Sequence, residues 1–150
     1  RLSYPIDCVS VSLCYQFQFA HPDNIFFLTM DATGSFPAVS RISGDTVKRF
    51  FETGYTSQMP GTEAGSNEIV KTFSPCYGSP FMPRKIELYT NMLMEKVKNT
   101  NANVFLINTG MGPNGNRFPL EFTRNCVKQA MTTKYDDRSE EVLEILEGLL

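Results

Sequence analysis

The residues with the most chemistry in them lie between Asn103 and Thr123, NVFLINTGMGPNGNRFPLEFT. Val104, Phe105, Leu106 and Ile107 form a continuous apolar run, the pattern of a strand covered on both faces. Gly110, Gly112 and Gly115 follow, supplying backbone that turns sharply and approaches a ligand closely. Arg117 leaves this loop, and Pro119 falls where the first turn of a helix tolerates proline. Strand, glycine loop and helix start are a common α/β arrangement for holding phosphate or nucleotide.

Three readings of this loop compete. Gly110-x-Gly112-x-x-Gly115 satisfies the dinucleotide fingerprint, which also requires a second strand ending in an acidic residue roughly 20 positions on. Asp136 stands near that distance, but residues 129–135 read as a helix end. Gly110-xxxx-Gly115 is the front half of a phosphate loop, whose chemistry needs Lys then Ser or Thr. Asn116 and Arg117 stand there instead, so the loop is not a Walker site. A tight turn with no ligand fits the same residues.

Other candidate groups are few. Asp31 ends the apolar strand Ile25 to Met30, where a carboxylate is either a site residue or a turn former. His21 is the single imidazole, and Cys8, Cys14, Cys76 and Cys126 form no CxxC or Cys/His cluster. These residues predict no structural zinc, and reduced, mostly buried thiols in an intracellular, reducing compartment such as cytosol or mitochondrion. A net charge of −2 gives no electrostatic footprint for nucleic acid. No apolar run approaches the ~20 residues that cross a bilayer, and no signal peptide is visible. The 150 residues suit one domain, and a start at Arg1 without Met reads as internal to a longer product.

The elements that position these groups alternate along the chain. Cys8 to Phe19 has period-two alternation and predicts a half-exposed edge strand. After a turn at His21 to Asn24 comes the Ile25–Met30 strand, then loop or short strand to Ile42. Ser43 is a good N-cap for a helix from Gly44 to Thr53, with Val47, Phe50 and Phe51 on one face and Gly54 as its stop. Tyr55 to Lys71 and Phe73 to Pro83 read as long irregular segments. A helix is predicted from Pro83 to about Lys98, with Ile86, Tyr89, Leu93 and Val97 inward. Leu120 to Met131 is predicted helical, with Phe122, Val127, Ala130 and Met131 inward. Ser139 caps a last helix with a leucine-rich stripe.

Several of these blocks, in this order, carry a resemblance. They are Leu2-Ser3-Tyr4-Pro5-Ile6, Phe27-Leu28-Thr29-Met30-Asp31-Ala32, Gly54-Tyr55-Thr56, Gly61-Thr62-Glu63, Phe73-Ser74-Pro75-Cys76-Tyr77-Gly78, Asn108-Thr109-Gly110 and Thr123-Arg124. Together they resemble the C-terminal catalytic portion of ATP-dependent phosphoenolpyruvate carboxykinase. The resemblance implies an α/β fold with a mixed, partly parallel sheet and flanking helices over residues 1–131; the helix read from residues 132–150 is an extension outside it. It implies conversion of oxaloacetate and ATP to phosphoenolpyruvate, ADP and carbon dioxide with Mg²⁺ and Mn²⁺. By position, Arg1 matches an arginine that touches substrate and the terminal phosphate. Arg117 matches the arginine that packs on the nucleotide, Phe118 replaces an aliphatic residue beside the adenine, and Thr123 matches a threonine bordering the base.

The resemblance also carries departures. The family's P-loop and metal ligands precede the segment that Arg1 begins, so these 150 residues by themselves lack the groups for phosphoryl transfer. Gln58 stands for a usual lysine, Pro60 for an alanine and Met111 for a tryptophan, and the loop before Arg117 is shortened. These changes favour a non-catalytic descendant, a structural or interaction subunit in a larger assembly. Its partners would meet the Leu146–Leu150 stripe or the 9–19 edge strand. The retained Arg1, Arg117 and Thr123 support the alternative, a C-terminal part of an active carboxykinase whose P-loop lies on another segment or chain. A dinucleotide-binding domain rests on the three glycines alone.

Overall fold

The apolar run becomes the central strand of a mixed sheet. β5 (Asn103–Asn108) lies between β1 (Asn24–Thr29), which runs parallel to it, and β2 (Val39–Ile42), which runs antiparallel. The computed structural model describes residues 4–5, 20–58 and 69–132. Arg1, the 9–19 alternation, Pro60, Asp136 and the Leu146–Leu150 stripe all lie outside the described residues.

A strand covered on both faces needs apolar side chains pointing both ways, and β5 has them from Val104 to Ile107. Phe105 and Ile107 are fully buried with Ala38 and Val39 against Cys126 and Ala130 of α3 (Leu120–Thr132). Val104 and Leu106 point the other way and pack with Phe27 and Val47, the latter from α1 (Gly44–Thr53). Leu93, Met94 and Val97 of α2 (Ile86–Thr100) complete that second layer. The fold is therefore α/β with a partly parallel sheet between helices, as the resemblance implies.

Departures from the sequence reading have local causes. Tyr55–Gln58 and Val70–Phe73 are not loop but an antiparallel pair, β3 and β4. Their polar Thr and Ser residues hide the period, while Tyr55 and Phe73 sit directly opposite with rings 5.9 Å apart. α2 starts at Ile86, three residues after Pro83, and runs on to an Asn101 cap in the left-handed region. Its fully buried residue is Thr90, whose hydroxyl bonds back to the Ile86 carbonyl, so a polar residue holds part of the inward face. Ser43 occupies the α1 cap position without a side-chain capping bond. Leu28 in β1 and Met131 in α3 are 58% and 53% exposed, and neither is core.

The carboxylate at the end of β1 is a turn former. Asp31 is 1% exposed. Its Oδ1 accepts from the Thr33 amide and hydroxyl, and its Oδ2 from the Ser35 and Phe36 amides at 2.6 and 2.9 Å. Burial pushes its pKa up, but these hydrogen bonds, led by the Thr33 hydroxyl, outweigh it and leave the carboxyl below its ordinary value.

Two outcomes follow for the natural polypeptide under urea. Phe105→Ala loses roughly 3–5 kcal/mol of stability and Leu28→Ala under about 0.5, because only the first opens a cavity. Asp31→Asn costs roughly 1–3 kcal/mol at pH 7 by leaving buried amides badly matched. Since the folded pKa is lowered, the carboxylate stabilises the fold above its unfolded value. That contribution is lost as pH falls below the ordinary 3.8, so the acid-induced loss between pH 4 and about pH 2 is shallower in Asp31→Asn than in wild type.

Candidate nucleotide site

The glycine loop is a small hairpin, and its amides are spent inside it. Met111 and Arg117 face each other in an antiparallel bridge. The Gly112 amide donates to the Asn116 carbonyl and the Gly115 amide to the Gly112 carbonyl, each at 2.9 Å, with Gly115 at φ +75°. The Thr109 amide donates to Thr29, Met111 to Asp31 and Phe118 to Gly110, all on carbonyl oxygens. The Gly110 amide donates to Asn108 Oδ1, and Asn116 to Asn114 Oδ1. A phosphate cradle needs several adjacent amides pointing outward. Here seven amides between residues 109 and 118 already have partners. Both the dinucleotide and the phosphate-loop readings of the three glycines therefore fail on geometry.

The hairpin instead lifts Arg117 and Phe118 beside the start of α3. Pro119 is not in the first turn but just ahead of it, and its carbonyl accepts from the Thr123 amide at 3.1 Å. Asn114, Asn116, Arg117, Phe118, Pro119, Glu121, Phe122 and Asn125 line an open cleft of about 480 Å³. The rings of Phe118 and Phe122 stack, with centroids 5.3 Å apart and 18° between planes. Arg117 is exposed, and its Nε donates to the Thr109 carbonyl at 3.2 Å, which sets the guanidinium against the base of the hairpin. An aromatic wall, a planar cation and three amide side chains suit a flat heteroaromatic ring with an anionic tail.

The sequence-stated residues are only partly brought together. Arg117 and Phe118 line the cleft; Thr123 does not, and its hydroxyl donates to the Pro119 carbonyl of its own helix turn at 3.3 Å. Phe122, read from sequence as a core residue, doubles as the second ring of the wall. Asn114, Asn116, Glu121 and Asn125 carry no sequence signal, because a turn and one helix face bring them together. Among the described residues no group of three or more His, Cys, Asp or Glu side chains is placed to hold a metal ion. The described residues therefore offer no ligand set for Mg²⁺ or Mn²⁺. Burial pushes the thiol pKa values of Cys76 and Cys126 up, away from the thiolate form. A second cleft of about 300 Å³ lies between β2 and α1, around Phe36, Arg41, Thr46 and Phe50.

No described helix is long and apolar enough to cross a membrane. The family model "Phosphoenolpyruvate carboxykinase" of the ATP-dependent type matches residues 1–147. The chain is 38% identical over 140 residues to phosphoenolpyruvate carboxykinase (ATP) 1 of Moorella thermoacetica, covering 91% of this chain and 26% of that protein. It is 40% identical over 141 residues to the enzyme of Christiangramia forsetii, with 91% and 26% covered. Against that of Bacillus subtilis it is 38% identical over 141 residues, with 91% and 27% covered. The chain thus spans about a quarter of the length of the curated relatives it matches. By a match that runs through nearly all of its residues, the chain belongs to the ATP-dependent phosphoenolpyruvate carboxykinase family.

Proposed function

We propose that this chain supplies the base-binding side of an adenine-nucleotide site of the carboxykinase type. The observation that carries the reading is the cleft in which Arg117 adjoins the stacked Phe118 and Phe122. The purine lies along the aromatic wall, and the guanidinium of Arg117 stacks on the ring or pairs with the phosphate tail. Thr123 lies outside the cleft lining and acts only on the first turn of α3, through its hydroxyl bond to the Pro119 carbonyl. The phosphates themselves are gripped elsewhere, since the hairpin amides are already used. In an active enzyme, phosphoryl transfer between ATP and oxaloacetate, with Mg²⁺ and Mn²⁺, requires groups beyond these residues, with Arg1 at the substrate side. Buried free thiols at Cys76 and Cys126 suit a reducing compartment.

A second reading keeps the fold and drops the chemistry, leaving a structural subunit of a larger assembly. Gln58, in place of a lysine on β3, and Met111, in place of a tryptophan in the hairpin, favour it. Nucleotide binding separates the two. In a titration of the natural polypeptide with a fluorescent ADP analogue, the first reading predicts saturable binding. Arg117→Ala weakens it at least about tenfold, and Phe118→Ala by about five- to a hundredfold, the range for one lost base stack. No saturable binding, or binding indifferent to both substitutions, overturns the nucleotide reading and leaves the structural one.

A further inference from the structure

Asn108 stands at the C-terminal end of β5, 1% exposed, with every hydrogen-bonding site of its amide in use. Oδ1 accepts from the Asp31 amide at 3.1 Å and from the Gly110 amide at 2.8 Å. Nδ2 donates to the Phe36 carbonyl at 3.0 Å and to the Met111 carbonyl at 3.1 Å. Two of these partners belong to the Asp31–Phe36 turn, and two belong to the hairpin that carries Arg117 and Phe118. One side chain thus ties the two loops together at their roots.

The loops have no slack. A Cβ on Gly110 would meet the Asp31 carbonyl oxygen at 2.1 Å, and one on Gly34 the Gly112 carbonyl oxygen at 2.5 Å. The hairpin bears on both cleft residues: the Phe118 amide donates to the Gly110 carbonyl, and Arg117 Nε to the Thr109 carbonyl. Asn108 is not among the residues that line the cleft.

We propose that Asn108 is a positioning residue for nucleotide binding: its amide fixes the hairpin to the Asp31 turn and so sets Arg117 and Phe118 at the cleft. The ligand in this inference rests on the nucleotide reading above; the mechanical part does not. Aspartate at this position keeps both acceptor bonds and the shape, but it loses both donors and sets a carboxylate against two carbonyl oxygens.

The test is amide hydrogen exchange on Asn108→Asp in the natural polypeptide, paired with fluorescent-ADP titration at a temperature where the variant remains folded. Exchange at residues 109–118 should rise at least tenfold while α1 and α2 keep wild-type rates, and the ADP dissociation constant should rise at least tenfold. Exchange raised equally everywhere makes Asn108 a general stability residue and overturns the proposal, as does an unchanged dissociation constant in a loosened hairpin. If wild type fails to bind ADP, the nucleotide reading falls, and with it the ligand named here; the exchange pattern still decides whether Asn108 holds the hairpin. Should Asn108→Asp fail to fold, Asn108→Ser removes the amide without adding a charge and is read by the same exchange experiment: selective loosening of residues 109–118 supports the proposal, and exchange raised equally everywhere, or nowhere, overturns it.

Discussion

The site depends on burying one strand from both sides. β5 is covered by α3 on one face and by α1 and α2 on the other, and that burial removes any freedom in its register. Where the strand ends, its last residue is an asparagine sealed from water, and a sealed amide must find partners for all its donors and acceptors. The partners available are the backbones of two neighbouring loops. The apolar core and the polar shell above it are therefore one construction: the core fixes where Asn108 stands, and Asn108 fixes where the loops stand.

The same constraint explains what the glycine-rich hairpin does. Its glycines serve close backbone approach, with Gly110 against Asp31 and Gly112 opposite Gly34, and its amides close internal turns. The hairpin carries an aromatic and cationic wall to the start of α3, and under the proposed reading recognition falls to those side chains. Such a wall suits the flat end of a nucleotide better than its phosphates. β1 also receives the β3–β4 pair: Thr29 Oγ1 donates to the Tyr55 carbonyl at 2.6 Å, and the Met30 amide to Thr56 Oγ1 at 3.3 Å. One sheet end thus anchors the segments before and after it.

The sheet was readable because hydrophobic burial leaves a pattern. Four consecutive apolar residues at 104–107, the run at 25–30 and the 3.6-residue faces of three helices all place core elements correctly, with Leu28 and Met131 as exposed exceptions. β3 and β4 were not readable, because their stability comes from Tyr55 meeting Phe73 across the ladder rather than from alternation along either strand. The loop pattern at Gly110, Gly112 and Gly115 misleads for a related reason. A spacing of glycines encodes backbone freedom, and only the hydrogen bonds decide whether that freedom serves a ligand or a turn. Arg117 and Phe118 came into view through family resemblance, whereas Phe122, Asn114, Asn116 and Asn125 are joined by tertiary placement alone.

The most direct measurement is a backbone ¹H–¹⁵N NMR map of the protein during titration with ADP. The account predicts shift changes centred on residues 114–125 and weak ones at the cleft around Phe36, Arg41 and Phe50. Changes centred on that second cleft, or none at saturating ADP, contradict it.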